Sequence, residues 1–351
     1  MAVMFGTGHW PTLLNVTKTM DPDGKTAKIV ELLQQTNQPL LDIPWKEGNL
    51  PDGERTTVRT GIPVPIFRKW YQGVPVTRSA YAQITDTCAD LQARHEVDKK
   101  AAEFNGNSES FRMIEALGEI EGMNQAQMTA LMYGDSTLNP EQYNGFAPRY
   151  SSLSAGNANN IIDAGGTGSD NMSCWLICWG MYTAFGIYPK GSKGGLSHQD
   201  LGEIDCFDVN GDKFRGYADI WDWECGLCVK DWRYIVRIAN IDASDLIAQN
   251  ANAANIITLM VKALHRVPNL GIVQTGIENP PVNGAASIPL APNPVFYCNR
   301  TLAEYLDIES LNKTQYTLKA GNDVYGRPVT FCRGIPVRTC DQLSSGEARV
   351  T

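Results

Sequence analysis

The sequence predicts an α+β fold, and three observations carry that prediction. Apolar residues recur at steps near 3.6 along one long stretch, residues 108–133. Short apolar or alternating runs dominate between Cys174 and Ile238. No regular strand, helix, strand alternation of the kind that builds a parallel sheet links the two regions.

Residues 1–48 read as a lead-in with one small helix. Asp21 and Pro22 form an N-cap and N1 pair, and Ile29, Val30, Leu32 and Leu33 give a short apolar face before Pro39 and Pro44 stop it. Residues 49–83 carry four prolines and a Phe67, Trp70, Tyr71 cluster with no core of their own, which fits an extended hairpin arm leaving its domain. After the arm, Thr87 with Asp90 resembles a capping box, so a helix is expected through Val97 and Ala101 to about Phe104.

The strongest helical signal follows over 108–133, with Met113, Leu117, Ile120, Met128 and Leu131 on one stripe. At ~1.5 Å per residue it spans roughly 39 Å, enough for a domain's spine. Gly118 and Gly122 weaken it by about 1 kcal/mol each relative to alanine, so packing must hold it. Gly134 and Pro140 end it. The Ser-, Gly- and Asn-rich text from Tyr150 to Ser173 reads as a surface connection.

Residues 174–179 form an apolar run short enough for a buried strand. Asn210 and Gly211 mark a hairpin turn. Residues 217–229, with Trp221, Trp223, Cys225 and Leu227, and 232–238, with Trp232, Tyr234, Val236 and Ile238, alternate as strands buried on one face. A second helix is expected over 244–266 on the stripe Leu246, Ala253, Ile257, Val261 and Leu264. A loop over 279–294, a strand over 295–298, a helix over 300–308 and strands within 314–339 complete the reading.

With 43% hydrophobic and 19% charged residues the composition is that of a globular protein. The formal charge of −8 opposes non-specific DNA binding by the whole surface. The charge is uneven, however. Arg55, Arg59, Arg68, Lys69 and Arg78 stand against Asp52 and Glu54 in the arm, leaving 25 basic and 36 acidic residues elsewhere. A basic arm on an acidic body suits self-association, and aromatic and arginine side chains are what interface hot spots favour. No apolar run reaches the 18 or so residues of a membrane span, the first ten residues lack the pattern of a signal peptide, and nine cysteines without framework spacing read as reduced thiols in a cytosolic compartment.

Motifs for chemistry are weak. Cys225 and Cys228 form a CxxC, but an offset of three in a strand points them to opposite faces, and no second pair completes four ligands. Cys174 and Cys178 read as core thiols. Asp208, Asn210 and Asp212 imitate the start of a calcium loop without its glycine or glutamate in register. His9, His95, His198 and His265 stand in no catalytic context. No cofactor, metal or catalytic residue is expected; the alternative is a metal-binding protein or enzyme using the Cys225 and Cys228 thiols.

Several strings are specific enough to carry a resemblance: DPDG from Asp21, GNLPDGERTTVRTGIP from Gly48, YGDSTLNPEQYNGFAPRY from Tyr133, GIYPKGSKGGLSHQDLGE from Gly186 and KDWRYIVRIANID from Lys230. In them, and in the order of its parts, the chain resembles the major capsid proteins of tailed bacteriophages with the Hong Kong 97-type fold, most narrowly those of epsilon 15-like podoviruses.

The resemblance implies an N-arm (1–48), an E-loop (49–83), a P-domain (84–169) with the spine helix at 108–133, an A-domain (170–310), and return strands of the P-domain (311–351). It implies no enzyme but a virion protein that assembles with itself, as hexamers and pentamers, into an icosahedral head around double-stranded DNA. Assembly would take place in the host bacterial cytoplasm with a separate scaffolding protein, a portal and a cementing or decoration protein, without a membrane. Arg55, Arg59, Phe67, Arg68, Lys69, Trp70, Tyr71 and Arg78 are the expected inter-subunit contacts. Lys69 is the only lysine in the arm, and the contacts are expected to be non-covalent.

Overall fold

The computed structural model describes residues 35, 37–103, 108–207, 210–248, 253–268, 292–312, 318–322 and 328–351. The small helix expected around Ile29 to Leu33, most of the 279–294 loop and Asp208 lie outside them. The strands are β1 Trp45–Glu47, β2 Gly53–Gly61, β3 Ala80–Asp98, β4 Ile161–Asp163, β5 Asn171–Trp179, β6 Ala184–Tyr188, β7 Ser197–Phe207, β8 Lys213–Val229, β9 Ile235–Asp242, β10 Asn293–Cys298, β11 Leu318–Asn322, β12 Pro328–Cys332 and β13 Ile335–Thr339. The α-helices are α1 Pro39–Asp42, α2 Lys99–Glu103, α3 Ser108–Tyr133, α4 Phe146–Arg149, α5 Ala243–Ile247, α6 Ile256–Arg266 and α7 Arg300–Asn312. The chain divides into two compact units, with boundaries inside β3, α3 and β8.

The larger unit holds 37–89, 129–194 and 225–351. Its centre is β5, antiparallel to β10 on one side (Leu176 opposite Phe296) and to β9 on the other (Leu176 opposite Val236). β10 continues through parallel β13 to β12 and β11. At the far end of β5, Trp179 meets Ala184 of β6, which pairs with β1 and β8.

The run NMSCWLICW is apolar throughout because both faces of β5 are covered. Met172, Cys174, Leu176 and Cys178 join the cluster built by Ile256, Met260 and Ala263 of α6 and Leu302 and Leu306 of α7. On the other face Trp175 and Trp179 pack against Phe146, and further edges come from Tyr150 on Trp175 and Tyr297 on Trp179. Asn255 and Asn299 cap α6 and α7 by accepting from the amides of Thr258 and Leu302 at 3.0 and 2.8 Å.

A polar lock sits beside Trp175. The guanidinium of Arg237 lies 5.1 Å from the Trp175 ring and bonds Glu347 at 2.7 Å, Ser173 at 3.1 Å and the Tyr150 carbonyl at 2.9 Å. Tyr133 donates its hydroxyl to Glu347 at 2.6 Å, and Ser173 donates to the same carboxylate.

The smaller unit comprises, among the described residues, Gln35, 90–128 and 195–224. Its β7 and β8 form the long hairpin that Asn210 and Gly211 announce, with Gly211 at φ +87°. Val97, Ala102 and Phe111 make its core. Arg112 holds buried Asp219 at 2.8 Å and Asp200 at 2.7 Å, while His198 reaches Asp219 at 3.0 Å and stacks on Trp221.

Several expectations change. The helix expected to open at Thr87 is strand to Asp98, and only α2 is helical. Residues 88–97 alternate: Leu91, Ala93, His95 and Val97 turn inward while Asp90, Gln92 and Arg94 face out, and this period of two outweighs the helix propensity of the residue types. The helix over 244–266 is two, because Asn255 caps a new start. The region 150–173 is not all surface, since Ile161 and Ile162 are buried in β4, parallel to β9. Residues 232–234 form a 3₁₀ turn, and β9 is buried on both faces instead of one. In β8 the alternation gives way to full burial from Cys225 to Val229. On α3 the expected bounds hold, but Met113 and Leu117 face solvent.

Candidate functional site

The arm is a hairpin with a fixed root, a paired shaft and a bare tip. Its shaft pairs β2 with β3 from Gly53 opposite Thr87 to Gly61 opposite Ala80. At Gly53 a Cβ would stand 2.0 Å from the Asp86 carbonyl, so only glycine admits this approach. Asn49 brackets the turn, donating to the Arg55 carbonyl and accepting from the Arg55 amide, both at 2.7 Å.

Two buried carboxylates anchor the root. Glu54 lies 3.7 Å from Lys46 and 3.4 Å from Lys230 and accepts from the Asn49 amide at 2.9 Å. Both ammonium groups also sit over the Phe185 ring, at 5.6 and 4.9 Å. Asp86 accepts from Arg149 at 2.8 Å and from the Val229 amide at 3.1 Å. Arg149 is itself oriented by the carbonyls of Gly145, Asn144 and Leu227. From the sequence Glu54 enters only the charge count of the arm and Asp86 does not enter at all; neither is expected as an anchor. The signal available was that Glu54 is one of only two acidic residues in a basic segment.

Along the shaft, Arg55 donates to the Thr85 hydroxyl at 3.3 Å, and the Arg59 guanidinium lies 5.5 Å from the Tyr81 ring. Hydrogen bonds from Ser79 and Arg59, with the charge of Arg59, hold the Tyr81 phenol below its ordinary value. Residues 62–79 then form no regular strand or helix. A turn closes between Lys69 and Gln72, with Tyr71 at φ +66°, an unusual conformation for a bulky residue.

All eight expected contact residues therefore fall on one hairpin. Arg55 and Arg59 make bonds from one leg to the other, while Phe67, Arg68, Lys69, Trp70, Tyr71 and Arg78 face solvent. Trp70 is 88% exposed, and Ile62, Val64, Val74 and Val76 add apolar surface that the sequence reading did not single out, although the alternation of these residues with proline was visible. The arrangement offers a broad apolar and cationic face, suited to burial against another surface.

Cys225 and Cys228 do not form a reactive pair. Both are buried in β8, and Cys228 packs with Phe185 and Ile187. Burial first, then the nearby Asp86 carboxylate, pushes the Cys228 thiol up to about 12, which opposes the thiolate that metal binding or nucleophilic chemistry uses. Among the described residues no helix is long and apolar enough to cross a membrane.

The model of the family described as Major capsid protein GP7 matches residues 21–351. No curated protein matches the chain. A chain of the bacteriophage Epsilon15 structure is 29% identical, with a TM-score of 0.75 and complete coverage of both chains. A chain of the capsid of the native GTA particle is 9% identical (TM-score 0.44, covering 63% of this chain and 95% of its own), and one from Mycobacterium phage Bobi is 10% identical (TM-score 0.40, 65% and 98%). Likenesses that slight decide nothing. The family match and the full-length superposition on the Epsilon15 chain do: this chain belongs to the major capsid protein GP7 family, and it is a capsid-forming protein of the Hong Kong 97-type fold.

Proposed function

We propose that the arm lies across a neighbouring copy and is the principal clasp between subunits. Arg55, Arg59, Arg68, Lys69 and Arg78 meet acidic surface there while Phe67, Trp70 and Tyr71 bury apolar area. One observation carries this reading: the arm's root is held by buried ion pairs, yet at its tip Phe67, Trp70 and Tyr71 stand almost fully exposed, with no core among the described residues to receive them. Burying a ring the size of Trp70 or Tyr71 stabilises by roughly 1.5–3 kcal/mol. A contact of millimolar strength is worth only about −4 kcal/mol, but several neighbours engaged together multiply the effect while misplaced subunits can still dissociate.

In this reading residues 1–48 are the N-arm, 49–83 the E-loop, 84–169 the P-domain, 170–310 the A-domain and 311–351 the returning strands. Subunits form hexamers and pentamers of an icosahedral head in the host bacterial cytoplasm. A separate scaffolding protein, a portal and a cementing protein join them, and packaged double-stranded DNA is contacted non-specifically from inside. The test is a pair of double variants, Arg59→Glu with Arg68→Glu and Trp70→Ala with Tyr71→Ala. Both should keep the circular dichroism and unfolding midpoint of the parent and yield no shells by electron microscopy. Normal particles from both would remove the arm from this role.

A further inference from the structure

Helix α3 carries an apolar stripe that faces away from the core of the smaller unit. At 3.6 residues per turn, Met113, Leu117 and Ile120 fall within about 60° of one another. Phe111, which packs with Val97 and Ala102, lies roughly on the opposite side of the helix. Met113 is 69% exposed and Leu117 59%, an unusual state for large side chains at positions i and i+4 of a 26-residue helix.

The stripe is framed by acid. α3 contains Glu109, Glu115, Glu119 and Glu121 against a single basic residue, Arg112, which is already bonded to Asp200 and Asp219. On the helical wheel Glu109 falls about 20° beyond Ile120 and Glu121 about 40° beyond Leu117, so one carboxylate stands at each margin. They are ~18 Å apart along the axis, with Met113 and Leu117 between them.

The tip of the arm is the complement of this surface. No acidic residue occurs between Gly61 and Ala80, and Arg68, Lys69 and Arg78 accompany Phe67, Trp70 and Tyr71. The turn at the tip is preset: the Gln72 amide donates to the Lys69 carbonyl at 3.1 Å, and the Lys69 amide donates to Gln72 Oε1 at 3.2 Å. A preset turn has less to lose in order on contact. Its ends lie within ~7 Å of each other, so it seats between the two carboxylates with length left for the Arg68 and Lys69 side chains to reach them.

We propose that the Met113, Leu117, Ile120 stripe of a second copy, with Glu109 and Glu121 at its margins, receives the tip of the arm. Trp70 and Tyr71 cover the apolar residues, and Arg68 and Lys69 meet the carboxylates. The proposal rests on the reading that the arm clasps a neighbouring copy, and it names the surface clasped. A second copy is the occupant because the chain carries both faces, opposite in charge and alike in apolar character, and leaves each bare. The two faces differ, so the contact is heterologous, the kind that closes rings. Phe67, Trp70 and Tyr71 together offer roughly 450–750 Å², less than the ~800 Å² each partner gives to a free-standing complex. It is therefore one contact among several around each subunit.

The test uses shells assembled from a mixture of ordinary and ¹⁵N-labelled full chains carrying benzoylphenylalanine in place of Trp70. After irradiation, peptide mass spectrometry should find adducts that join the two labels and map to residues 113–121. Adducts that join the labels elsewhere would overturn the receiving role of α3 and leave the arm a clasp. Adducts that never join the labels, or none at all, would remove the clasp as well. A second variant leaves the arm intact: Met113→Ser with Leu117→Ser should keep the unfolding midpoint of the parent, since both side chains are exposed. It should raise the subunit concentration at which shells appear about tenfold or more. An unchanged concentration would overturn the proposal whether or not the photoprobe chain assembles.

Discussion

The guanidinium of Arg149 lies 2.8 Å from the carboxylate of Asp86, a residue 63 positions earlier in the chain, and this pair fixes the return leg of the arm to the body. Removing the cation alone leaves a buried carboxylate with only neutral donors, the Val229 amide and the Cys228 thiol, and no countercharge from Arg149. Arg149→Ala should therefore destabilise the subunit by about 3–5 kcal/mol. Asp86→Ala should cost less, because Arg149 is less buried and keeps three backbone carbonyls. Urea unfolding of the isolated subunits measures both, and equal losses would show that the asymmetry of burial does not matter.

Glu347 meets Arg237 where both side chains are nearly inaccessible. Glu347→Ala should lower stability by about 3–5 kcal/mol. Burial, reinforced by the Glu347 charge, holds the Tyr133 phenol well above its ordinary value, so it stays a donor at every pH the fold survives. Tyr133→Phe should cost about 1.5–3 kcal/mol, the range for a hydrogen bond to a charged group. Thermal unfolding of the two variants should rank them in that order.

Burial pushes the thiols of Cys178 and Cys298 up to about 12, as it does that of Cys228. Unfolded, a cysteine ionises near pH 8.5. The folded state therefore binds more protons than the unfolded one between about pH 9 and 12, and stability falls across that window. Each such thiol contributes a loss of about 1.4 kcal/mol per pH unit. Denaturation followed from pH 8 to 11 should show the decline, and Cys228→Ser should flatten part of it. Maleimide at pH 7.5 should label at most Cys88 in the native protein and all nine cysteines after unfolding.

Gly226 on β8 marks a close approach between strands. A Cβ there would stand 2.7 Å from the Thr87 carbonyl oxygen and 3.0 Å from the Cys88 Cα, both backbone atoms that cannot swing aside. Gly226→Ala should cost about 1–3 kcal/mol, the range for overpacking a tight site. Gly73, at the tip of the arm, has nothing within 4 Å of the same position, and Gly73→Ala should leave the unfolding midpoint where it was.

The elements that read true from sequence were those governed by their own neighbours. The bounds of α3 follow from its period and its Gly134 stop, and the Asn210 and Gly211 turn from backbone preference. The errors arose where distant chain decides. Alternation through Leu91, Ala93, His95 and Val97 was present in the sequence, but Thr87 and Asp90 imitated a cap, and the sheet partner that resolves the ambiguity comes from β8. The alternation of β9 predicts one buried face, because the residues that cover its second face, Tyr150 and Glu347 around Arg237, lie far along the chain. At the arm, the aromatic and arginine cluster was legible, since its exposure follows from prolines and charge. The carboxylates that root it were not, because Lys230 and Arg149 reach them from remote segments.

The bareness of the tip has a consequence for quality control. Chaperones and proteases that survey a cell recognise exposed core and local unfolding, and side chains from Phe67 to Tyr71 belong to no core. A chain altered there folds to the same stability as its neighbours and passes that inspection unmarked. Errors in this segment are thus carried silently through folding, and the first process able to reject them is association with other copies.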